Sequence, residues 1–219
     1  MRVSNLLFLF VCSLAMAKFV CPPNDGAMPP KKSRYVEANN NEAVVYVTTY
    51  CKHMCSGFVV GKDLVMTAAH CVEEDDVFTV HFKDGHTALS KVVDQGSSVF
   101  VLRDWAILKV DTKLIKPLKF ADSVETSSDG LDLTYGGINK NREPHQYPVT
   151  IAGITMDRMG LPTLEVHGPI DHGDSGSAIV NLKGEVVGMA SRISRTDMYL
   201  SWAVPVLELK QALEDYLKK

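Results

Sequence analysis

The 219-residue chain is short of several things, and each shortage excludes something. It has no strong charge of either sign. Its 23 Lys and Arg face 26 Asp and Glu, for a formal net charge of −3 and a pI near 6.2. That balance lacks the electrostatic footprint of a nucleic-acid binder or of a protein held to an anionic membrane surface. No apolar run reaches the roughly 18 to 20 residues that a membrane-spanning helix needs. There is no internal repeat of solenoid type, and no Asn-x-Ser/Thr acceptor, so N-glycosylation is not expected. What remains is an ordinary folded composition, 46% hydrophobic and 22% charged. The length suffices for one large domain or two small ones with a well-buried core.

The first 17 residues read as targeting rather than fold. Arg2 gives a basic start, residues 6–14 an apolar core, and Ala15-Met16-Ala17 a small-x-small cleavage signature. In that order they predict a secretory signal peptide with Lys18 as the first mature residue; a buried N-terminal helix or strand is the plainer alternative. The protein is therefore expected to be secreted. Residues 18–42, rich in Pro, Lys and Asn, predict an extended lead-in.

Secretion changes how the cysteines are read. Without Cys12, the set is Cys21, Cys51, Cys55 and Cys71, an even number that favours disulfides in an oxidising compartment. Four cysteines allow three pairings, and the sequence alone does not choose among them. Zinc competes, because Cys51, His53 and Cys55 crowd three ligand types together, but no second ligand pair follows at a usable spacing. The acidic run 73–76 reads as a solvated loop rather than a calcium site.

From residue 43 onward, short apolar runs alternate with Gly, Asp, Asn and Pro turns. The runs are 43–49, 57–60, 64–68, 77–82, 99–102, 106–110, 131–135, 149–154, 163–166, 178–180, 185–190 and 200–204. Many short strands between turns predict an all-β sandwich or barrel. Residues 205–219 place Val206, Leu207, Leu209, Leu213 and Leu217 on a helical period and predict one C-terminal helix.

Three separated pieces carry chemistry: Thr67-Ala68-Ala69-His70-Cys71, then Arg103-Asp104-Trp105-Ala106, then Asp171-His172-Gly173-Asp174-Ser175-Gly176. Each has a bland reading as a surface histidine, a turn aspartate or a tight glycine turn. Together they supply what acyl transfer needs. A serine hydroxyl is a poor nucleophile until a histidine takes its proton, and a carboxylate must hold that histidine in the right tautomer. The developing oxyanion needs backbone N–H donors, and glycines allow the backbone to present them.

On these motifs the sequence resembles the chymotrypsin-like (trypsin-like) serine proteases over roughly residues 43–219. The chain order His, Asp, Ser is the one that fold uses. The resemblance implies two packed six-stranded antiparallel β-barrels, divided near residues 115–128, with a C-terminal α-helix. It implies that His70 is the general base, Asp104 its orienting carboxylate and Ser175 the nucleophile, with an oxyanion hole from the N–H groups of Gly173 and Ser175. It implies a Cys55–Cys71 disulfide beside the histidine and, by default, a Cys21–Cys51 pair. Ser191 matches the family serine that bonds the catalytic Asp and helps form the substrate-binding edge. Residues 201–205 and the following helix look like the closing segment of bacterial and HtrA-like members.

Two departures stand out. The basic residue followed by Ile-Val-Gly-Gly is absent, Arg34-Tyr35-Val36 being the nearest match. Asp174 occupies the position that receives a new N-terminus in zymogen-activated members. Either cleavage after Arg34 frees a Tyr35 ammonium for it, or Asp174 pairs with something else and the enzyme folds active; missing glycines favour the second. The position where the family carries a Lys/Arg-selecting Asp holds Pro169, followed by Ile170. With Ala190 to Ile193 as one pocket wall and His172 and Arg192 near the groove, an apolar or uncharged side chain at the cut site is expected, with an acidic one as the alternative.

The function expected is thus a secreted serine endopeptidase acting through an acyl-enzyme. Its partners are a protein or peptide substrate, with room for a protein inhibitor, and it is expected to be a monomer. No nucleic acid, membrane span, metal or cofactor is implied. The rival readings are a non-catalytic homologue acting as a binding module, a single-substrate processing protease of viral type, and a structural metal-binding domain built on the 51–55 cluster.

Overall fold

The computed structural model describes residues 42–49, 54–73, 77–113, 115–134 and 145–219. The expected signal peptide, the residues 18–41, and Cys21 and Cys51 with their expected pairing lie outside these residues.

Six strands close the first barrel: β1 (Val44–Thr48), β2 (Met54–Gly61), β3 (Leu64–Thr67), β4 (Phe78–His81), β5 (Thr87–Gln95) and β6 (Ala106–Lys109). They run in the order β1-β2-β3-β6-β5-β4, every pair antiparallel, with β4 returning to β1. The β2–β3 hairpin shows how sequence sets the register. Gly61-Lys62-Asp63 is a turn signal, and Asp63 adopts a left-handed φ of 57° that Asp tolerates better than most residues. Val59 then pairs with Val65 and Phe58 with Met66, all four fully buried.

A linker leads to the second barrel: β7 (Ser128–Thr134), β8 (His145–Met156), β9 (Pro162–His167), β10 (Ala178–Asn181), β11 (Val186–Ile193) and β12 (Leu200–Pro205), closed in the order β10-β11-β12-β9-β8-β7. Ile151, Leu164, Val166, Ile170, Ile179, Val187, Ala190 and Ala203 fill its interior. The main apolar cluster extends from Phe58, Phe78 and Phe82 of the first barrel through Leu133, Val180 and Met189 to Leu209 of the closing helix, so the barrels share one core.

Helix α1 (Val206–Leu217) follows Pro205 and buries Val206, Leu209 and Ala212. Polar side chains of α1 and of Lys219 just beyond it reach the first barrel and the linker. Trp105 Nε1 donates to Glu208 Oε1 (3.1 Å) and Lys219 reaches Asp94 in the first barrel, while Lys210 reaches the Ala121 carbonyl (3.2 Å) and Asp122 (3.0 Å) on the linker. Among the described residues no helix is long and apolar enough to cross a membrane.

The two-barrel all-β architecture with one terminal helix is as expected. Two local expectations fail. Residues 99–102 are not a strand: Val101–Arg103 form a 3-10 turn, because the Arg103 carbonyl is taken by the Ser97 N–H (2.7 Å) and the chain must bend to present Asp104. Strand β5 escapes the sequence pattern, because Thr87–Gln95 buries only Ser90 and carries a bulge between Val92 and Asp94.

Candidate active site

Strand β3 ends at Thr67 and runs into a 3-10 turn, Ala69–Cys71, which places His70 at the barrel rim with its side chain 36% exposed. A disulfide joins Cys71 to Cys55 on β2, so the loop is tied back to its own sheet. Asp104 leaves the 101–103 turn fully buried. Its neighbours are fixed by the end of β5: Gly96 N–H donates to the Trp105 carbonyl (2.8 Å) and Ser97 N–H to that of Arg103.

The Asp104 carboxylate accepts three hydrogen bonds. Oδ1 takes the His70 backbone N–H at 2.9 Å, and Oδ2 takes His70 Nδ1 at 2.7 Å and the Ser191 hydroxyl at 2.6 Å. Ionised carboxylates make the stronger, shorter class of hydrogen bond, and the three donors together hold the carboxylate in one orientation against the ring. Since Oδ2 can only accept, Nδ1 carries the proton of the neutral ring and Nε2 is left as an acceptor.

Ser175 sits in a turn that both barrels hold. Its carbonyl accepts the Ser56 N–H (2.8 Å), and Cys71 Sγ lies 4.0 Å from the same oxygen. The sulfur is in a disulfide, so the latter is packing, not donation. Asp174 N–H closes on the Asp171 carbonyl (3.1 Å) with Gly173 at φ 97°. Positive φ at the third residue is the type II turn, whose central peptide is reversed relative to type I. Gly176, at φ 84°, lies so close to β2 and β3 that a Cβ there would be 2.3 Å from the Ser56 carbonyl oxygen and 2.5 Å from Thr67 Oγ1. Only glycine fits that approach.

Behind the turn lie two buried carboxyls that the sequence did not single out as a pair. Asp174 accepts the Thr134 hydroxyl (2.6 Å) and the Asp171 N–H (2.9 Å). Asp132, fully buried on β7, bonds Ser177 through Oδ1, while its Oδ2 has no partner. Burial pushes Asp174 up to about 6, against the Thr134 and Asp171 hydrogen bonds that lower it. Burial also pushes Asp132 well above the usual carboxylate range, with the negative charge of Asp174 adding to the rise. In the residues described, Asp174 thus has protein partners other than an N-terminal ammonium; Arg34 and Tyr35 lie outside them.

The residues expected to bind substrate divide. Ser191 is buried against Asp104, and Ile170 and Ala190 belong to the second-barrel core. Pro169 and His172 are exposed. Arg192 is exposed too, but its guanidinium donates to the Ser98 and Val99 carbonyls (3.0 Å to Val99), tying β11 to the loop before Asp104 rather than standing free. The ligand atoms of Cys55, His70 and Cys71 come within 4.8 Å of one another, yet both sulfurs are spent in the disulfide, which leaves His70 alone. The same bond removes Cys55 from the 51–53–55 zinc reading, whose other two residues lie outside those described.

Comparison with known proteins follows the same line. Residues 55–189 match the model of the trypsin-like peptidase domain. The chain is 29% identical over 157 residues to a probable periplasmic serine endoprotease DegP-like of Halomonas elongata and 31% identical over 157 residues to one of Pseudomonas putida, each alignment covering 69% of this chain. It spans about a third (32%) of the length of those curated relatives. A crystal structure of the Rv3671c protease from M. tuberculosis, active form, superposes with a TM-score of 0.68 at 24% identity, covering 86% of this chain and 93% of that one. The serine endoprotease from Yersinia pestis superposes at 0.69 and 19% identity, covering 84% and 69%. These two likenesses speak for the fold. The family model, lying over more than half of the chain and over the His70–Asp104–Ser175 arrangement, speaks for descent: the chain belongs to the trypsin-like peptidase family.

Proposed function

We propose that the protein is an exported serine endopeptidase that cleaves peptide bonds through an acyl-enzyme, with His70, Asp104 and Ser175 as its catalytic residues. The observation that carries this reading is the fully bonded Asp104 carboxylate beneath His70. It fixes the neutral tautomer whose Nε2 is free to take the Ser175 hydroxyl proton as the oxygen attacks the substrate carbonyl. The same nitrogen, now protonated, gives that proton to the leaving amine. Water then repeats the sequence on the acyl-enzyme. The type II turn at Asp171–Asp174 supports a preformed oxyanion hole from the Gly173 and Ser175 N–H groups. The periplasmic relatives and the disulfide support export.

Substrate choice follows from what lies near the groove. Arg192 is occupied by two backbone carbonyls, which weakens its claim on an acidic side chain and supports an apolar or uncharged residue at the cut site. A fluorophosphonate probe tests the reaction class: it should label Ser175, and Ser175→Ala should abolish the label. Unlabelled, correctly folded protein would leave a binding module as the reading. Tetrapeptide substrates with Lys, Leu, Ala and Glu at the cut site test specificity, and fastest turnover of Lys would contradict it.

A further inference from the structure

Strand β7 carries Asp132 and Thr134 two residues apart, so both side chains stand on one face of the strand. The nucleophile turn answers with Ser177 and Asp174. Asp132 bonds Ser177, and Thr134 bonds Asp174. Ser177 N–H in turn holds the Asp174 carbonyl (2.8 Å), so two side-chain rungs and one backbone bond form a closed ring directly behind Ser175. The ring continues to the first barrel through Ser56, whose hydroxyl lies 2.8 Å from Thr134 Oγ1 and donates to the Gly173 carbonyl at 3.0 Å.

The ring holds two acids and no base. The groups facing it are Asp171 and His172 on the turn, His145 and Tyr147 opposite Thr134 and Asp132 on β8, Ile179 opposite Asp132 on β10, and Ser56 on β2. Among the described residues no Lys or Arg pairs with either carboxyl. Asp132 Oδ2 is buried without a donor. An unpaired oxygen of that kind is costly as half of a carboxylate and far cheaper as the C=O of a neutral acid.

We propose that Asp132 is kept as a neutral carboxylic acid within its hydrogen bond to Ser177 Oγ, and that in this form it is a positioning residue for the Gly173–Ser175 turn. Asp174 then carries the pair's single negative charge, stabilised by Thr134 and Asp171. Loss of the Asp132 proton puts two negative charges behind the turn, and the ring that holds Gly173 and Ser175 loosens. The kinetic consequence rests on Ser175 being the nucleophile; the protonation itself does not.

Difference infrared spectroscopy on the mature wild-type protein tests the proton. At neutral pH a buried protonated-carboxyl band should be present, and it should vanish in D132N. An asparagine copies the shape and hydrogen bonding of the neutral acid but cannot ionise. The wild type should therefore lose kcat/KM at alkaline pH by about tenfold per pH unit beyond the second ionisation, while D132N stays near its own maximum. D132A, which only removes the rung, should lose activity evenly across pH. The proposal is overturned if the infrared band is missing, or if D132N declines at alkaline pH as the wild type does. Should fluorophosphonate fail to label Ser175, the protease reading falls, and the infrared band still decides the state of Asp132.

Discussion

In the proposed mechanism His70 is the base, and a histidine serves as one only if one of its two ring nitrogens is spoken for; the Asp104 carboxylate does that. Asp104→Asn keeps the shape but offers an amide N–H toward Nδ1, so the ring turns to the wrong tautomer. Turnover should drop by about four orders of magnitude with little change in thermal stability. Ser191→Ala is a milder probe of the same carboxylate. It removes one of three donors to a buried charge, a loss of about 1–3 kcal/mol, so kcat/KM should fall by roughly 10- to 100-fold while the enzyme remains folded. Peptide hydrolysis assays on both variants check these outcomes. The motifs that hold His70, Asp104 and Ser175 were legible beforehand, since their residue types are those the proposed chemistry requires. Asp132, Thr134 and Ser56 were not. A carboxylate in Leu131-Asp132-Leu133 looks like the solvent face of an alternating strand, and only barrel closure buries it.

At the scale of elements, the loop bearing His70 depends on a covalent tie. Cys55 and Cys71 stand 16 positions apart, a closure for which the chain-entropy argument gives about 3 kcal/mol. Cys71→Ser, or reduction, should lower the urea midpoint accordingly, with activity lost in parallel. The turn bearing Ser175 depends on an absence of side chain instead. Gly176→Ala would press a methyl against backbone of β2 and β3 at a positive φ, so the variant should show a marked fall in melting temperature and no probe labelling. Strands with buried alternating faces and the amphipathic α1 were readable from their periods. Strand β5 was not, because its position is set by pairing with β4 and β6 rather than by its own burial.

For the molecule as a whole, pH should reach stability through the buried acids. Asp174 binds its proton more tightly when folded (about 6) than in the unfolded chain (3.8), so the folded state holds more protons between those values. That contribution is complete below pH 3.8 and is lost as pH rises through about 6, on the order of 3 kcal/mol at most. Asp132, also raised, adds a contribution of the same sign. Melting temperature should therefore fall from mildly acidic to alkaline conditions, with a shallower slope in D132N; a flat profile in calorimetry would contradict this. The fold class followed from many short strands plus one helix, whereas the way α1 grips Trp105 and the linker belongs to tertiary contacts that no local pattern encodes.

The sulfur bridge at the histidine loop has a further consequence for the cell that makes this chain. Thiols stay reduced in a cytosol, so polypeptide there would carry the His70 loop untethered, and the tether closes only in an oxidising space. On the proposed reading, the loop that carries the base is braced only where that oxidation can occur.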